Sequence, residues 1–278
     1  MPLDCTTRRF DQLSWPEAKA AAEINGSTLV WPFGACEQHG PQLPLATDAL
    51  FADRLLDAVL DDLSADLPIW RLPLQSIGFS PEHRSFPGTL SLSSGLLLGL
   101  VRELGQQLAA MGWNRLVLFN AHGGQIALLQ VAARALRQRC PAMAVLPCFL
   151  WSGVEGLADL LPKDERENGL HAGLAETSLM LHLASELVGE QRPVDGLPGL
   201  EGTPCPPSGW SLEGAAPSAW LMEDLSRSGV IGDSSTASAE LGEALEQRLV
   251  LHWTERLRAL LMSDWPASAE AVNRTSAS

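Results

Sequence analysis

Basic residues are scarce in this sequence. Only 19 of its 278 residues are Lys or Arg, against 33 Asp or Glu, which gives a formal net charge of −14 at pH 7. A surface of this sign repels phosphate backbones, so we expect no nucleic-acid partner. Charged residues make up only 19% of the chain and hydrophobic residues 46%. Because this composition can bury a large core, it excludes a disordered chain and predicts a packed globular protein.

Paired cysteines and long apolar runs are also missing. No CxxC pair occurs among the five cysteines, which are Cys5, Cys36, Cys140, Cys148 and Cys205. Their odd number and scatter argue against a disulfide framework and favour reduced thiols. The N-terminal residues lack the apolar core of a signal peptide, and no apolar stretch is long enough to span a bilayer. We therefore expect a cytoplasmic protein with no membrane partner.

Segments typical of strands alternate with segments typical of helices through the first half of the chain. The strand-like runs are 27–31, 68–74, 115–119 and 144–149. The helices between them are predicted from Thr47 as N-cap to about 62, from Ser93 or Ser94 to about 112, and from about 125 to 140. Alternation of this kind builds βαβ units, so the sequence predicts an α/β fold with a mostly parallel sheet.

The second half of the chain is less regular. We predict a helix over about 172–187 and a final amphipathic helix over about 238–262. The Pro- and Gly-rich stretch 191–217 predicts a long irregular loop or lid. The last residues, 267–278, are expected to be frayed. Since there is no internal repeat and no sharp change in composition, we expect residues 1–278 to form one domain with a core over about 14–262.

Carboxylate and imidazole side chains follow two of the strand-like runs. Glu37 and His39 come after the first run and, being two residues apart, turn to one face of an extended backbone. Asp48 lies at the start of the next helix, and His122 follows the third run among small residues. Sites in open α/β sheets lie at the carboxyl ends of strands, so these four side chains can meet. A mixture of nitrogen and oxygen ligands suits divalent Zn, Mn or Fe, although a polar loop without a metal would show the same short pattern.

A third polar cluster contains His171 and Glu176. On a continuous helix these two side chains would point about 140° apart, so they converge only if His171 precedes the helix. Glycines at 169 and 173 permit that arrangement. Glu176 would then be placed to complete a metal site. The alternative is that Glu176 only stabilises the N-terminal end of its helix through the helix dipole.

Several segments together resemble the signature blocks of the creatininase (creatinine amidohydrolase) family. They stand in family order and are Gly34–Pro41, Phe86–Leu92, Asn120–Gln125, His171–Ser178 and Gly232–Asp233 with Ala237–Ala239. The likeness spans about residues 14–260. It implies a three-layer α/β/α fold, a hydrolytic site with two divalent metal ions per subunit and, commonly, a homohexamer.

The resemblance also implies roles for individual residues. The positions that match the metal ligands of the family are Glu37, His39, Asp48 and His122, with Asp48 as the bridging carboxylate. His171 matches a catalytic histidine assigned to proton transfer. Ser80 falls near a serine that contacts substrate, and His83 in the same loop is expected either to line the pocket or to serve the loop structurally.

The chain departs from creatininase at some of these positions. Creatininase has an aromatic residue and a metal-binding glutamate just after the histidine matched by His122, whereas this chain has Gly123 and Gly124. Many relatives share the two glycines, and Glu176 could supply the missing carboxylate. Further departures are Cys36, Gln42 and Gln125. They bear on the substrate more than on the type of reaction.

The resulting hypothesis is a metal-dependent amidohydrolase that cleaves a C–N bond of a small cyclic amide, a formamide or a related metabolite. A hydroxide held by two metal ions would attack the carbonyl carbon, and His171 would carry the proton to the leaving nitrogen. One alternative is a hydrolase that trims a peptide precursor in cofactor maturation. Others are a catalytically idle binding protein of the same fold, or a thiol-dependent protein built on Cys36.

Overall fold

The computed structural model describes residues 7–266, which form a central parallel sheet between two layers of helices. The four sheet strands are β1 (Thr28–Phe33), β2 (Ile69–Arg71), β3 (Arg115–Asn120) and β4 (Ala144–Phe149). They lie in the order β2-β1-β3-β4, and every neighbouring pair is parallel. The α/β fold with a mostly parallel sheet is therefore confirmed.

The remaining elements within the described residues are nine α-helices, four single-turn 3-10 helices and one two-stranded ribbon. The longer helices are α1 (Trp15–Ala22), α2 (Thr47–Asp61), α3 (Ser94–Ala110), α4 (Ile126–Arg139), α7 (Leu174–Leu183) and α9 (Ala239–Leu261). The shorter helices are α5 (Leu157–Leu160), α6 (Lys163–Asn168) and α8 (Met222–Leu225). The ribbon pairs β5 (Val194–Asp195) with β6 (Gly232–Asp233) in antiparallel fashion. No helix within residues 7–266 is both long enough and apolar enough to cross a membrane.

Alternation along the strands produces the three layers. Leu29 and Trp31 of β1 belong to a core covered by α1, α3 and α4, whereas Val30 belongs to a second core covered by α2, α7 and α9. The same division holds on β3 for Leu118 and Phe119. Successive side chains of a strand point to opposite faces, so a strand that is apolar throughout needs helices on both sides.

The strand order creates a switch point between β1 and β3. The chain leaves β1 for β2 on one side and then returns to place β3 on the other side of β1. The connections that follow β1 and β3 therefore diverge at the carboxyl ends of these strands. In open α/β sheets a crevice at such a point is the usual place for a ligand site.

Four details of the sequence prediction compare with the structure in different ways. Thr47 does not cap α2 but is its first residue, and its Oγ1 donates a 2.7 Å hydrogen bond back to the carbonyl oxygen of Pro44. The stretch 191–217 is not wholly irregular, because β5 lies within it. The predicted frayed tail, 267–278, lies outside the described residues. Ser93 does cap α3, its side chain accepting from the amide of Leu96.

Candidate metal centre

The connection after β1 brings two of the predicted ligands to the switch point. Glu37 and His39 are each 1% exposed, which is unusual for ionisable side chains and requires partners. The Nδ1 atom of His39 lies 3.2 Å from the carbonyl oxygen of Glu37. That carbonyl can only accept, so Nδ1 carries the proton and the lone pair of His39 is on Nε2, facing the centre.

Asp48 reaches the same point from the first turn of α2. The helix can approach β1 because residue 34 has no side chain: a Cβ there would lie 2.5 Å from the backbone nitrogen of Ala49. The Asp48 carboxylate is 2% exposed. Its Oδ1 lies 3.4 Å from Nε2 of His39. The absent side chain at Gly34 is thus what allows the aspartate to meet the ligands that follow β1.

His122 joins the centre from the end of β3. Its Nε2 donates a 2.9 Å hydrogen bond to the carbonyl oxygen of Phe79, so the lone pair of the neutral ring is on Nδ1. Nδ1 lies 3.3 Å from Oε1 of Glu37 and 3.2 Å from Oδ2 of Asp48. The two oxygens of Asp48 therefore face two different histidines, one on each side.

The spacing of these atoms fits a bound metal ion. Ligand atoms of a tetrahedral zinc site, each about 2.0–2.1 Å from the ion, lie about 3.3–3.4 Å apart. The distances of 3.2–3.4 Å between the histidine nitrogens and the carboxylate oxygens match that value. Moreover, Glu37 Oε2, His39 Nε2 and Asp48 Oδ2 are buried and make no aligned hydrogen bond to any described residue. Since leaving such groups unsatisfied is costly, the donor set is suited to a cation.

The electrostatics of the cluster agree with this interpretation. Burial lowers the pKa of His39, but the charge of the nearby Asp48 carboxylate outweighs burial and raises that pKa to about 9. Burial likewise opposes protonation of His122, yet the carboxylate of Glu37 holds its pKa well above the usual value. Burial would raise the pKa of Asp48, but its histidine neighbours hold it well below the usual value. Without a metal ion, protons on the imidazoles balance the buried carboxylates, and a cation would replace them.

His171 and Glu176 complete the wall on the far side of the centre. His171 precedes α7, which starts at Leu174, so the two side chains converge as the sequence required. Together with His39 they offer ligand atoms within 4.8 Å of one another. One carboxylate oxygen of Glu176 accepts a 2.6 Å hydrogen bond from the amide of Ala172. Burial raises the pKa of Glu176 to about 7. Its assignment as a metal ligand stays a prediction.

Glu82 is a further carboxylate at the centre, and the sequence analysis did not select it. With Glu37 and His122 it offers ligand atoms within 4.8 Å of one another. Its Oε1 fills the space that a Cβ at Gly124 would take. A side chain at residue 124 and the carboxylate of Glu82 therefore exclude each other. The signal in the sequence was the Gly-Gly pair after His122, which leaves room for an acidic group from elsewhere.

The loop that contains Glu82 also carries His83 and Ser80, and only His83 of these two lines the cavity. His83 is 2% exposed and lines the cavity, with Nε2 3.6 Å from Oε1 of Glu37. Burial lowers the pKa of His83 to about 4. Ser80 is fully buried beside His122, its Oγ 3.3 Å from Nε2, and does not line the cavity among the described residues. A substrate contact by Ser80 stays a prediction.

A cavity of about 480 Å³ opens over the centre. Glu37, Asp48 and His122 line it, whereas His39 does not. One wall is apolar, with Phe149 at the end of β4, Trp151 after it and Leu157 of α5. The opposite wall is formed by Glu213 and Trp220 from the long connection before α8. Cys36, Gln42 and Gln125 do not line this cavity. A substrate in the cavity would therefore not contact these three side chains directly.

Comparison with known proteins agrees with the geometry. The family model for creatinine amidohydrolase (creatininase) matches residues 11–257. A mycofactocin precursor peptide peptidase of Mycobacterium ulcerans is 33% identical over 236 residues, covering 80% of this chain and 81% of that protein. A creatinine amidohydrolase of Pseudomonas putida is 31% identical over 201 residues, covering 67% of this chain and 76% of that protein. A solved structure described as creatininase with Mn superposes with a TM-score of 0.74 at 26% identity, covering 92% of this chain and 100% of that chain.

Proposed function

This chain belongs to the creatininase family, and from that premise we propose that it is a metal-dependent amidohydrolase whose substrate is a peptide or a peptide-derived amide. The observation that carries the proposal is the convergence of Glu37, His39, Asp48 and His122, whose lone pairs face one another at metal–ligand spacing. An idle binding protein would have no need to keep these buried, unpaired atoms at such cost.

We further propose that Glu37, His39, Asp48 and His122 would hold two divalent ions. Asp48 would serve both, because its Oδ1 faces His39 and its Oδ2 faces His122. Glu37 lies within 4.0 Å of both histidines and would neutralise further positive charge. When bound, the ions would supply an activated water and polarise the amide carbonyl. The ligands fit Zn, Mn or Fe.

The proposed proton carrier is His171, which lines the cavity beside these ligands. Its Nε2 donates a 2.7 Å hydrogen bond to the carbonyl oxygen of Gln38, so the lone pair is on Nδ1, 3.8 Å from Oε1 of Glu37. Burial, with the charges of neighbouring histidines, holds the pKa of His171 well below its usual value. The neutral ring can therefore accept a proton at Nδ1 and release it to the leaving nitrogen.

Two observations support a substrate of peptide size. The relatives at 33% identity are peptidases of a precursor peptide, and their alignments cover 80% of this chain. The cavity, about 480 Å³, is in the range of pockets that hold drug-sized ligands and is large for a formamide. Its apolar wall around Trp151 would bind an apolar side chain next to the scissile bond.

A small cyclic amide is the second candidate. The long connection before α8 contributes Glu213 and Trp220 to the cavity wall, as expected if this segment covers a small substrate. The creatinine amidohydrolase of Pseudomonas putida, 31% identical to this chain, provides the precedent. This candidate predicts cleavage of a ring amide, whereas the first predicts cleavage of a linear one.

The proposal is tested by metal content and hydrolysis measured on the same samples. Purified protein is stripped with a chelator, reloaded with Zn, Mn or Fe, and assayed against creatinine, a lactam, an N-formyl amine and short peptides. We expect activity to follow metal content and peptides to be the better substrates. Peptide turnover that persists in metal-free protein would contradict the proposal. The cytoplasmic location and the homohexamer stay predictions, the latter open to measurement by light scattering.

A further inference from the structure

Gln38 lies between two histidines that both face Glu37. It is 5% exposed, and its side chain extends away from Glu37 and His39, the metal-ligand candidates on either side of it in sequence. The side chain contacts His83, and the backbone carbonyl contacts His171. One residue therefore touches both rings, on the edge of each that is turned away from the metal centre.

The orientation of the Gln38 amide is fixed by two backbone groups. The amide of Gly40 donates to Oε1 of Gln38 at 2.9 Å, and Nε2 of Gln38 donates to the carbonyl oxygen of Gly229 at 3.0 Å. Exchanging the oxygen and nitrogen of the side chain would place donor against donor and acceptor against acceptor. The NH₂ group accordingly has one hydrogen left, and two ring nitrogens lie within its reach: Nδ1 of His83 at 2.8 Å and Nε2 of His171 at 3.2 Å. Because Nε2 of His171 already donates to the backbone oxygen of Gln38 at 2.7 Å, the remaining hydrogen is assigned to Nδ1 of His83.

This contact determines which nitrogen of His83 carries the proton. Nδ1 accepts from Gln38, so the neutral ring is protonated on Nε2. The nearest carboxylate oxygens to Nε2 are Oε1 of Glu37 at 3.6 Å and Oε1 of Glu82 at 3.9 Å, both beyond hydrogen-bond distance. The N–H group of His83 is therefore directed at the cavity without a close acceptor among the described residues.

His171 has the opposite arrangement. Its Nε2 lies 2.7 Å from the backbone oxygen of Gln38, which can only accept, so the proton is on Nε2 and the lone pair is on Nδ1. The lone pair on Nδ1 of His171 faces Oε1 of Glu37, and the N–H group at Nε2 of His83 faces the same oxygen. The rings of His83 and His171 lie 4.3 Å apart between centroids. Two adjacent imidazoles thus present one donor and one acceptor to the same site.

We propose that Gln38 positions His83 as a hydrogen-bond donor for the carbonyl oxygen of the substrate amide, leaving His171 as the base. This inference rests on the proposed hydrolysis of an amide, in which negative charge develops on that oxygen. A neutral N–H group held in place by a buried amide needs no reorganisation as the charge forms. On this assignment His83 is a catalytic residue but not a metal ligand, and Gln38 is a positioning residue.

The first test measures the tautomers directly. Zinc-loaded protein labelled with ¹⁵N-histidine is examined by two-bond ¹⁵N–¹H correlation, and the signals of His83 are identified by their loss in His83→Gln. We expect His83 to be protonated on Nε2 in the wild type. In Gln38→Met the side-chain donor is lost but the backbone carbonyl remains. The signal of His83 should then shift towards a mixture of tautomers, whereas that of His171 stays unchanged.

The second test separates donation from metal binding. His83→Phe keeps a ring but no donor, and His83→Gln keeps an N–H group at a similar reach. Zinc affinity should stay within about threefold of wild type in both variants. For creatinine or a short peptide, whichever the wild type hydrolyses, kcat should fall about 10²–10³-fold in His83→Phe, and His83→Gln should recover at least tenfold of that loss.

Several outcomes would overturn the inference. A wild-type His83 protonated on Nδ1 would remove its donor, and a large loss of zinc affinity in His83→Phe would make it a ligand instead. Equal kcat losses in the phenylalanine and glutamine variants would show that the N–H group is not what matters. If the wild type hydrolyses neither probe, the proposed function fails, while the tautomer and zinc measurements still decide the roles of Gln38 and His83.

Discussion

The strongest prediction concerns His122, the ligand candidate that β3 contributes. His122→Ala removes one of four side-chain ligands while leaving Glu37, His39 and Asp48 in place. Structural zinc sites with four ligands bind with about 10–16 kcal/mol, or about 2.5–4 kcal/mol per ligand if the four share it equally. Loss of one ligand should then weaken zinc binding by about 10²–10³-fold.

The weaker zinc binding can be measured as a smaller rise in Tm when zinc is added. At a free zinc concentration of about 100 Kd, binding stabilises the folded wild type by about 2.7 kcal/mol. For a protein of this size that corresponds to a rise in Tm of about 5–11 °C over the chelated sample. In His122→Ala the same zinc concentration is at or below the Kd of the ion that His122 would help to hold. The stabilisation by that ion therefore falls to about 0.4 kcal/mol or less, and its contribution to the Tm rise to about 1–2 °C or less.

The assay is differential scanning fluorimetry with metal content measured on the same samples. His182→Ala is the matched control, because His182 of α7 pairs with Glu246 of α9 at 2.7 Å and does not line the cavity. It should keep the wild-type response to zinc. A wild-type Tm that ignores both chelator and zinc would refute the metal centre, as would a His122→Ala response as large as that of the wild type.

Three further predictions test the proton carrier, the charge of the centre and the approach of α2. His171→Ala should keep a metal affinity within about threefold of wild type but lose turnover, since the proposed role of His171 is proton transfer. A loss of metal affinity parallel to the loss of activity would make His171 a ligand instead. The pKa of His39 is raised to about 9 in the metal-free protein, so zinc must displace a proton when it binds, and zinc affinity should rise with pH up to about 9. Calorimetry in buffers of different ionisation enthalpy should detect the released proton. A zinc affinity that does not depend on pH would contradict this prediction. Gly34→Ala should lower the free energy of unfolding in chemical denaturation by about 1–3 kcal/mol and weaken zinc binding, because its Cβ would press on the backbone of Ala49. The control is Gly95→Ala, whose Cβ would meet open space and which should not destabilise the fold.

Much of the fold was readable from local patterns. The predicted strand at 144–149 coincides with β4, and the predicted N-cap Ser93 does cap α3. Hydrophobic period and capping chemistry act over a few residues, so a short window contains the whole signal. Thr47 was wrongly predicted as the N-cap because α2 begins at Thr47 itself, where its hydroxyl donates back to the carbonyl oxygen of Pro44 instead of accepting from a helix amide; this depends on how the chain enters the helix.

The candidate site was only partly readable. The sequence pointed to Glu37, His39 and His122 because they follow strand-like runs, and to Asp48 because it lies at the start of the next helix. Glu82 escaped notice because its relevance depends on a space at Gly124, which lies far away in the chain. The Gly-Gly pair after His122 shows that there is room for an acidic group, but it does not show which distant residue supplies that group.

The sequence by itself determined the parallel α/β architecture, the type of the candidate metal-ligand side chains and the place of Glu37, His39 and His122 after β1 and β3. These follow from periodicity and from the rule that strands of a parallel sheet end at one edge. Only the tertiary structure decided that the two oxygens of Asp48 face different histidines and that Gln38 sets a proton on His83. Such choices depend on distances of a few tenths of an ångström and on hydrogen-bond direction, which are fixed only when distant segments pack together.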